Sequence, residues 1–204
     1  MKVKLTKGEL KKQRDALKQY LRYLPTLQLK KQQLQLEILG QYNLLAEQKK
    51  TLAGKKVSAE AWVGLLAEPG INLKPWLNPS QIISGIKNVA GVDIPVFHQL
   101  AFTPAEYDLF LVPLWVDAAI DQLRGIVSLQ EEIKVIEKGI VILKQELRVT
   151  SQRVNLFEKV KIPATEEAIR MIKIYIGDQM ANAVGRSKMA KSKIEANALE
   201  EVMA

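Results

Sequence analysis

The stretch IVSLQEEIKVIEKGIVILKQEL, from Ile126 to Leu147, decides the fold because its apolar residues recur with a period of seven. Sustained seven-residue spacing of Ile and Leu is typical of a helix that winds around a partner helix. The repeat extends to both sides in two rows. One row is Ala119, Ile126, Ile133, Ile140, Leu147, Val154 and Lys161, and the other is Gln122, Leu129, Ile136, Leu143, Thr150 and Phe157. Residues 114–162 are therefore predicted to form a coiled-coil helix.

The first 57 residues show the same period. Counting by sevens gives a row in which only one position is not apolar: Leu10, Leu17, Leu24, Lys31, Ile38, Leu45 and Leu52. Pro25 and Gly40 are weak points, since a proline inside a helix removes a hydrogen bond and a glycine loosens the backbone. The repeat nevertheless stays in phase across both residues. One continuous N-terminal helix is therefore predicted.

Residues 58–113 are rich in proline and glycine and interrupt the repeat. Short helices are predicted after Ser58 and from Pro79, because serine caps helices and proline favours their first position. The runs VDIPVF (92–97) and EYDLFLV (106–112) have the composition of short strands, which could pair as a hairpin. A capping-box pattern at residues 103–106 equally favours a helix over 104–112, and the sequence leaves both alternatives open.

These segments predict an all-α fold. The two long helices flank the insert, so antiparallel pairing is the simplest way to bury both apolar stripes. The expected organisation is an N-terminal coiled-coil helix (1–57), a small irregular end segment of short helices with a possible β-hairpin (58–113), and a C-terminal coiled-coil helix (114–204). The last is expected to kink near Pro163 and to fray after Gly185. In this pairing Ile38 is expected to lie near Ile133, and Leu17 near Val154.

The charge distribution has two interpretations: lysines spread along a long helix usually just keep it soluble, and they can also form a face that binds an acidic partner. The net charge is +8, and residues 1–60 carry 14 Lys and Arg against 5 Asp and Glu. An acidic protein, an anionic lipid surface or a nucleic acid would fit such a face. Nucleic acid is the least favoured of the three, since stacking aromatic residues interleaved with arginine are missing. The lack of cysteine and of a long uncharged apolar run predicts a cytoplasmic chain that is at most peripheral to a membrane.

No arrangement of residues predicts covalent chemistry, a cofactor site or a metal site. His98 is the only histidine, and a single histidine is a poor metal or acid–base site. Gly54-Lys55 lacks the other residues of a phosphate-binding loop. The adjacent carboxylates of Glu131-Glu132 and of Glu166-Glu167 diverge around a helix and are expected to be solvated. The chain is therefore expected not to be an enzyme.

Three stretches resemble the family of D subunits, the central-stalk rotor shafts of V-type and A-type rotary ATPases. They are LPTLQLKKQQLQLE (24–37), NVAGVDIPVF (88–97) and SQRVNLFEKVKIP (151–163). The second is similar to the family pattern Asn-Val-x-Gly-Val-x-x-Pro. The third is similar to Arg-Arg-Val-Asn-Ala-Leu-Glu-x-x-x-Ile-Pro, with Gln152, Leu156 and Phe157 as departures. Length and the helix–insert–helix order also match, so the resemblance covers nearly the whole chain.

The resemblance implies a non-catalytic shaft that transmits torque between a catalytic head and an ion-translocating membrane ring. It implies contacts with the A and B subunits of the head, with a small F subunit of the stalk, and with a membrane-rotor adaptor. ATP chemistry would belong to the head, and the chain itself would bind no nucleotide. The alternatives are an unrelated coiled-coil scaffold and, less favoured, a basic nucleic-acid-binding hairpin.

Two residues are candidates for contact with a partner. Val154 and Phe157 occupy the seam rows, so their neighbours Arg153 and Asn155 are predicted to point away from the seam. The competing interpretation is that both are ordinary exposed side chains.

Overall fold

The computed structural model describes residues 4–67, 73–107 and 112–203, with side chains up to residue 198. Helices dominate both ends of the chain, and a two-stranded antiparallel hairpin lies in the insert between them. The elements in order are helix α1 (Lys7–Glu60), a 3₁₀ helix (Val63–Ala67), helix α2 (Lys74–Leu77), strands β1 (Pro79–Val89) and β2 (Val92–Phe102), helix α3 (Trp115–Leu156), a π-helical turn (Phe157–Lys161) and helix α4 (Ile162–Met203). The predicted all-α class with a small irregular insert is confirmed.

The chain divides into two compact units. The terminal unit comprises Met1–Gln28 and Gln152–Ala204, and the central unit comprises Leu29–Ser151. Each unit contains part of α1 and part of the helix that returns along it.

Helix α1 begins after the N-cap residue Thr6 and continues without interruption through Pro25 and Gly40. The Glu9 backbone N–H donates to Thr6 Oγ1 at 3.2 Å, which satisfies one of the free donors at the start of the helix. Ser58 lies inside α1, where its hydroxyl donates to the Gly54 carbonyl at 3.1 Å. The prediction that Ser58 caps a new helix is therefore wrong. The last helical turns retain their hydrogen bonds, and the chain leaves the helix only after Glu60.

In the central unit, α1 and α3 pack antiparallel through their heptad rows. Leu34 and Ile38 share a buried cluster with Leu143. Leu45 shares a second cluster with Ile133, Ile136 and Ile140. Two ion pairs follow the same antiparallel order, in which residue numbers rise along α1 and fall along α3. Lys30 pairs with Glu146 at 3.0 Å, and Lys49 pairs with Glu137 at 2.8 Å.

The register differs from the predicted one by about one heptad. Ile133 packs with Leu45, whereas it was expected beside Ile38. The repeat permits either pairing, because a slip of seven residues brings equivalent apolar positions together. In the terminal unit, the ring centroids of Tyr20 and Phe157 lie 5.3 Å apart. In an antiparallel pairing this contact places Leu17 beyond Phe157, so its predicted position beside Val154 is also displaced.

Strands β1 and β2 form the hairpin of the insert. Ile86 pairs with Pro95 and Val89 with Val92, in an antiparallel register that continues to Pro79 opposite Phe102. The predicted helix from Pro79 is therefore wrong. The β-branched isoleucines of β1 outweigh the helix-start signal once a partner strand is available. The predicted partner strand was 106–112; residues 103–107 are irregular, and residues 108–111 lie outside the described part of the chain.

The tip of the hairpin packs against both long helices. Val92 and Ile94 are buried in the cluster that contains Leu34 and Leu143, with Val89 and Ala90 packed beside it. Gly139 of α3 lies beside the tip, where an added Cβ would make an ordinary van der Waals contact of 3.9 Å with the Pro95 carbonyl oxygen. The tip thus closes the core of the central unit.

Polar contacts define the tip in detail. Ala90 and Gly91 both have positive φ, of 51° and 77°, as a two-residue turn of type I′ requires. Asn88 accepts a hydrogen bond from the Gly91 backbone at 3.1 Å and donates to Asp93 at 2.6 Å. Lys87 on β1 forms a 2.9 Å ion pair with Glu37 on α1.

The rest of the insert surrounds a third cluster, which contains Leu73, Val116, Ala119 and Ile120. Arg124 on α3 holds two insert segments together. Its Nε donates to the Trp76 carbonyl at 3.1 Å and its Nη2 donates to the Thr103 carbonyl at 2.7 Å. The Tyr107 hydroxyl donates to Asp117 at the start of α3. One arginine therefore ties α2 and the end of β2 to the C-terminal helix.

The helical backbone continues through Pro163, and a π-helical turn precedes it. The Ile162 N–H donates to the Phe157 carbonyl five residues back, instead of the usual four. Lys161, which the heptad row places in the seam, is exposed, and Ile162 is half-buried. After the turn, α4 buries Thr165, Ile169 and Ile172. The π-turn therefore moves the buried face of the helix by one residue.

Helix α4 extends to Met203, beyond Gly185, where fraying was predicted. That prediction is wrong. Residues 186–203 are rich in Ala, Lys, Met and Glu, which have high helix propensity. Lys191 and Glu195 add an ion pair at the favourable spacing of four, with 3.6 Å between nitrogen and oxygen.

Replacing Gly91 by Ala is expected to lower the free energy of unfolding by about 1–2 kcal/mol, because a side chain at positive φ is strained. A Cβ at this position would meet no other atom within 4 Å, so the effect isolates the backbone. Chemical denaturation measures it. The matched control is Gly40→Ala inside α1, which is expected to stabilise by about 0.5–1 kcal/mol. Equal effects of the two changes would contradict the turn geometry.

Truncation of Leu143 to Ala is expected to cost about 2–5 kcal/mol, since the side chain is fully buried between α1, α3 and the hairpin tip. The control is Val141→Ala on the outer side of the same helix, where the side chain is 65% exposed and the expected change is within about 0.5 kcal/mol. Urea titrations of both variants test the seam. A loss at Leu143 no larger than at Val141 would refute the packing.

The Glu37–Lys87 pair predicts a pH dependence. Hydrogen bonds from Lys87 and then Gln41 hold the pKa of Glu37 below its ordinary value of 4.5. A lowered pKa in the folded state stabilises above the unfolded value, and the contribution is lost as pH falls through the folded value. Lys87→Met should therefore cost about 0.5–1 kcal/mol at pH 7, a modest effect because Lys87 is half exposed.

The stability difference between the parent and Lys87→Met should fade as pH is lowered from about 5 to about 3. Unfolding free energies across this range measure it. The control is Lys50→Met, which changes an exposed lysine of helix α1. A difference between parent and Lys87→Met that stays constant with pH would show that the ion pair does not titrate as described.

Candidate functional site

The two candidate contact residues lie on the outer side of the helix in the terminal unit. Arg153 and Asn155 are both exposed, whereas Val154 between them is 4% exposed and packs inward. Phe157, one turn further along, contacts Tyr20 of α1. The guanidinium and the amide therefore lie on opposite flanks of the helix, outside its buried apolar side.

These side chains have hydrogen-bonding capacity to offer to another molecule. Within the described part of the chain, neither Arg153 nor Asn155 forms a hydrogen bond or an ion pair. A guanidinium presents five donors in a planar fork that matches a carboxylate, and an amide both donates and accepts. Residues two apart on a helix diverge by about 160°, so one flat surface would not contact both equally. A groove that encloses the helix would reach both.

The carboxylate pairs considered for acid–base chemistry have structural environments. Glu131 forms a 2.6 Å ion pair with Lys134, whereas burial raises the pKa of its neighbour Glu132. Hydrogen bonds from Arg170 lower the pKa of Glu167, and the same pairing raises the pKa of Arg170. Neither pair brings two carboxylates together on one substrate-sized cavity.

The other candidate groups also have packing roles. The His98 ring lies over Gly85 of β1, where an added Cβ would come within 2.3 Å of Nε2. Gly54 and Lys55 lie inside α1, where the backbone is helical rather than looped around an anion. Over residues 4–67, 73–107 and 112–203, no group of His, Asp and Glu is arranged to hold a metal ion.

The basic residues of the terminal unit lie beside the α1 seam. Lys11, Lys12, Arg14, Lys18 and Arg22 are all exposed, whereas Leu10, Leu17 and Tyr20 face inward. The positive face anticipated from the charge count thus exists as an outward-facing surface of α1. It is compatible with an acidic partner, and its charges do not compete with the packing of the helix.

Sequence patterns missed three exposed apolar surfaces. The first follows α4, with Ile174, Met180, Val184, Met189 and Ile194 each at least half exposed. The second lies on α3 beside the hairpin, around Val141, Ile142 and Pro95. The third is at the helix ends of the insert, where Val63, Leu65, Leu66 and Leu114 are exposed. The helical spacing after Pro163 includes Met180 and Val184, but periodicity alone does not show that these side chains are exposed.

None of the helices in the described residues contains a stretch long and apolar enough to cross a lipid bilayer. Exposed apolar side chains that lie together on a protein surface often mark a site of protein contact.

Comparison with known proteins identifies the family. The family model for the ATP synthase D subunit matches residues 9–192. The V-type ATP synthase D subunit of Borreliella burgdorferi is 42% identical over 193 residues, covering 95% of each chain. The corresponding D subunit of Chlamydia pneumoniae is 33% identical over 197 residues, covering 96% of this chain and 94% of the relative. The resemblance drawn from the sequence is confirmed, and the chain belongs to the family of ATP synthase D subunits.

Proposed function

We propose that the chain is the central-stalk rotor shaft of a V-type rotary ATPase or ATP synthase. Membership of the D-subunit family along almost the whole chain is the observation that carries this proposal. Relatives that match over at least 94% of their own length are named as D subunits of V-type ATP synthases. The chain would transmit torque between the head that hydrolyses or synthesises ATP and the membrane ring that translocates ions. It would be a non-catalytic component, peripheral to the membrane on its cytoplasmic side.

The packing of the helices suits this mechanical role. A single α-helix twists easily, whereas two helices with interlocking side chains resist both slip and twist. In the central unit the seam of Leu45 with Ile133, Ile136 and Ile140 supplies such interlocking. The Lys30–Glu146 and Lys49–Glu137 ion pairs flank the seam and oppose sliding of one helix along the other. These contacts are what a torque-bearing element requires.

The three exposed apolar surfaces support an assignment of partners. The surface along α4 would turn inside the head formed by the A and B subunits. The surface around Val141 and Pro95 would receive the small F subunit of the stalk. The surface at Leu114 and the 3₁₀ helix would dock on the membrane-rotor adaptor. In functional terms the chain would comprise two arms, residues 1–57 and 114–204, and an end segment, residues 58–113.

Arg153 and Asn155 would contact the head or the stalk partner. Both lie outside the seam, and a groove that encloses the helix could reach both side chains. Nucleotide would bind to the head and not to this chain. The Gly54-Lys55 pair supports this view, because its helical backbone does not form a loop that could enclose a phosphate.

Two other functions are less favoured. A coiled-coil scaffold would account for the helices, but it gives no reason for family membership over residues 9–192. A nucleic-acid-binding hairpin would use the exposed lysines of α1. Its binding would persist in the absence of any protein partner and would fall steeply with added salt.

The proposal is tested by purifying the native complex through an affinity tag on this chain. The expected result is a nucleotide-hydrolysing hexamer and a small stalk protein in fixed ratio to the tagged chain. Recovery of the chain alone, or with nucleic acid after a high-salt wash, would overturn the proposal.

The double change Arg153→Ala with Asn155→Ala tests the contact residues. We expect the variant chain to fold normally, because both side chains are exposed and make no polar contact within the described residues. In the assembled complex, coupled ATP turnover should fall by about tenfold, equivalent to the loss of about 1.4 kcal/mol of interface energy. Turnover is measured together with ion translocation in reconstituted vesicles.

The matched control is Arg148→Ala, which removes an exposed arginine from the same helix α3 within the central unit. It should leave assembly and turnover within about twofold of the parent, as surface substitutions usually do. Unchanged assembly and turnover in the double variant would retire Arg153 and Asn155 as contact residues, while the proposed function would still stand on co-purification.

A further inference from the structure

The π-turn shifts the seam of the terminal unit by one residue. Before the turn, Val154 is buried and Phe157 contacts Tyr20. The next inward residue is Ile162, five positions after Phe157, where an unbroken heptad would require position 161. Beyond it, the residues that face inward are Thr165, Ala168, Ile169, Ile172 and Ile176. A single extra residue in a π-turn produces this change of phase.

A second apolar stripe lies directly beside the buried one. An unbroken α-helix from Phe157 would bring a partly different set inward: Lys161, Ala164, Met171 and Tyr175, together with Ala168, which is already buried in the observed register. Apart from the lysine, all of these could pack against an apolar surface. Met171 is 44% exposed and Tyr175 is 41% exposed, whereas their neighbour Ile172 is fully buried. At several inward positions of α4, two adjacent residues are both apolar, as Met171 and Ile172 are. Either residue of such a pair could face α1.

Space for the second stripe is already present within the same unit. A groove of about 600 Å³ lies between α1 and α4. Gln13, Ala16 and Tyr20 line it from α1, and Ala164, Ala168 and Met171 line it from α4. These three residues of α4 belong to the second stripe, as does Lys161, which also borders the groove; Val160, Thr165 and Glu167 border it as well. Rotation of α4 about its own axis would move Met171 into the groove and carry Ile172 away from the seam.

Two features hold the helix in the observed register. A proline clashes with the carbonyl four residues back in an α-helix, so Pro163 disfavours the unbroken helix. Thr165 is buried and its hydroxyl donates to the Lys161 carbonyl at 2.6 Å, at the end of the π-turn. The alternative register would also place Lys161 against α1. These features make the observed register the more stable of the two.

We infer that the terminal unit has two packing registers, related by conversion of the π-turn at Phe157–Lys161 into α-helix. The conversion changes the hydrogen-bond spacing of this turn from five residues to the four of an α-helix. It thereby rotates α4 about its own axis by roughly 100° relative to α1. Both registers bury an apolar stripe, so the rotation exchanges one packed arrangement for another. Such an element has two discrete states instead of deforming continuously. If the chain serves as the proposed shaft, the element would take up torsion at this position; the two registers themselves do not depend on that function.

The test uses cysteine accessibility, which the cysteine-free sequence permits. Met171→Cys and Ile172→Cys are introduced separately into the full chain, and the rate of alkylation by N-ethylmaleimide is measured. In the parent, the thiol at position 171 should react fast and the thiol at 172 slowly. Adding Pro163→Ala removes the clash and should speed alkylation at 172 and slow it at 171, each by at least about threefold.

Opposite changes in the alkylation rates at positions 171 and 172 distinguish rotation of α4 from its local unfolding. Faster alkylation at both positions would mean that the helix opens locally, and unchanged rates at both would mean a single rigid register. Either result would overturn the inference. Circular dichroism of each variant verifies that helix content is retained.

A locked variant provides the matched control. This variant combines deletion of the exposed residue Glu158 with Pro163→Ala. The deletion leaves Ile162 four positions after Phe157 instead of five, so an unbroken α-helix would keep the observed face of α4 inward. Alkylation at position 172 should then be no faster than in the parent. Faster alkylation at position 172 in this variant would show that loss of the proline exposes the thiol even when the extra residue is absent. This result would refute the two registers. All these measurements use the isolated full chain, so they are independent of whether it assembles into a rotary ATPase.

Discussion

The rest of the structure depends on the burial of apolar heptad residues between α1 and α3. Leu34 and Leu143 are fully buried at the place where the two helices and the hairpin tip meet. Each fully buried Leu contributes roughly 1.5–3 kcal/mol by leaving water, and neither helix could bury its stripe alone. This pairing brings parts of a 54-residue and a 42-residue helix into one core. The insert then folds onto a surface that the pairing has created.

The insert is held by a small number of specific contacts. The turn at Ala90-Gly91 directs Val89 and Val92 onto the helices, and Asn88 satisfies the backbone of the turn. Arg124 fastens α2 and the end of β2 through two backbone carbonyls. The stretch NVAGVDIP (88–95) therefore forms a hairpin tip that packs on a helical pair. Its residues serve the docking of the hairpin rather than chemistry.

The terminal unit combines a rigid seam with one adaptable position. The contact of Tyr20 with Phe157 and the burial of Ile172 hold α4 against α1, while the π-turn between them carries an extra residue. Pro163 explains why the turn lies there, because it cannot donate the hydrogen bond that an unbroken helix needs. The same irregularity moves the buried face of α4. Pro163 thus coincides with a change of helical phase.

Periodicity alone determined the two long helices, their apolar faces as far as Phe157, and the outward position of Arg153 and Asn155. These features depend on local spacing, which a seven-residue repeat specifies fully. The register between α1 and α3 could not be determined in this way. A slip of one heptad moves Ile133 from Leu45 to Ile38, and both pairings place apolar residues opposite each other. Only tertiary packing selects between the two. The conversion of residues 79–89 from a predicted helix into β1 has the same origin, because strand pairing depends on a partner outside the segment itself. The one-residue phase shift at Phe157–Lys161 was equally hidden, since both Met171 and Ile172 are apolar and only contact with α1 decides which of them is buried.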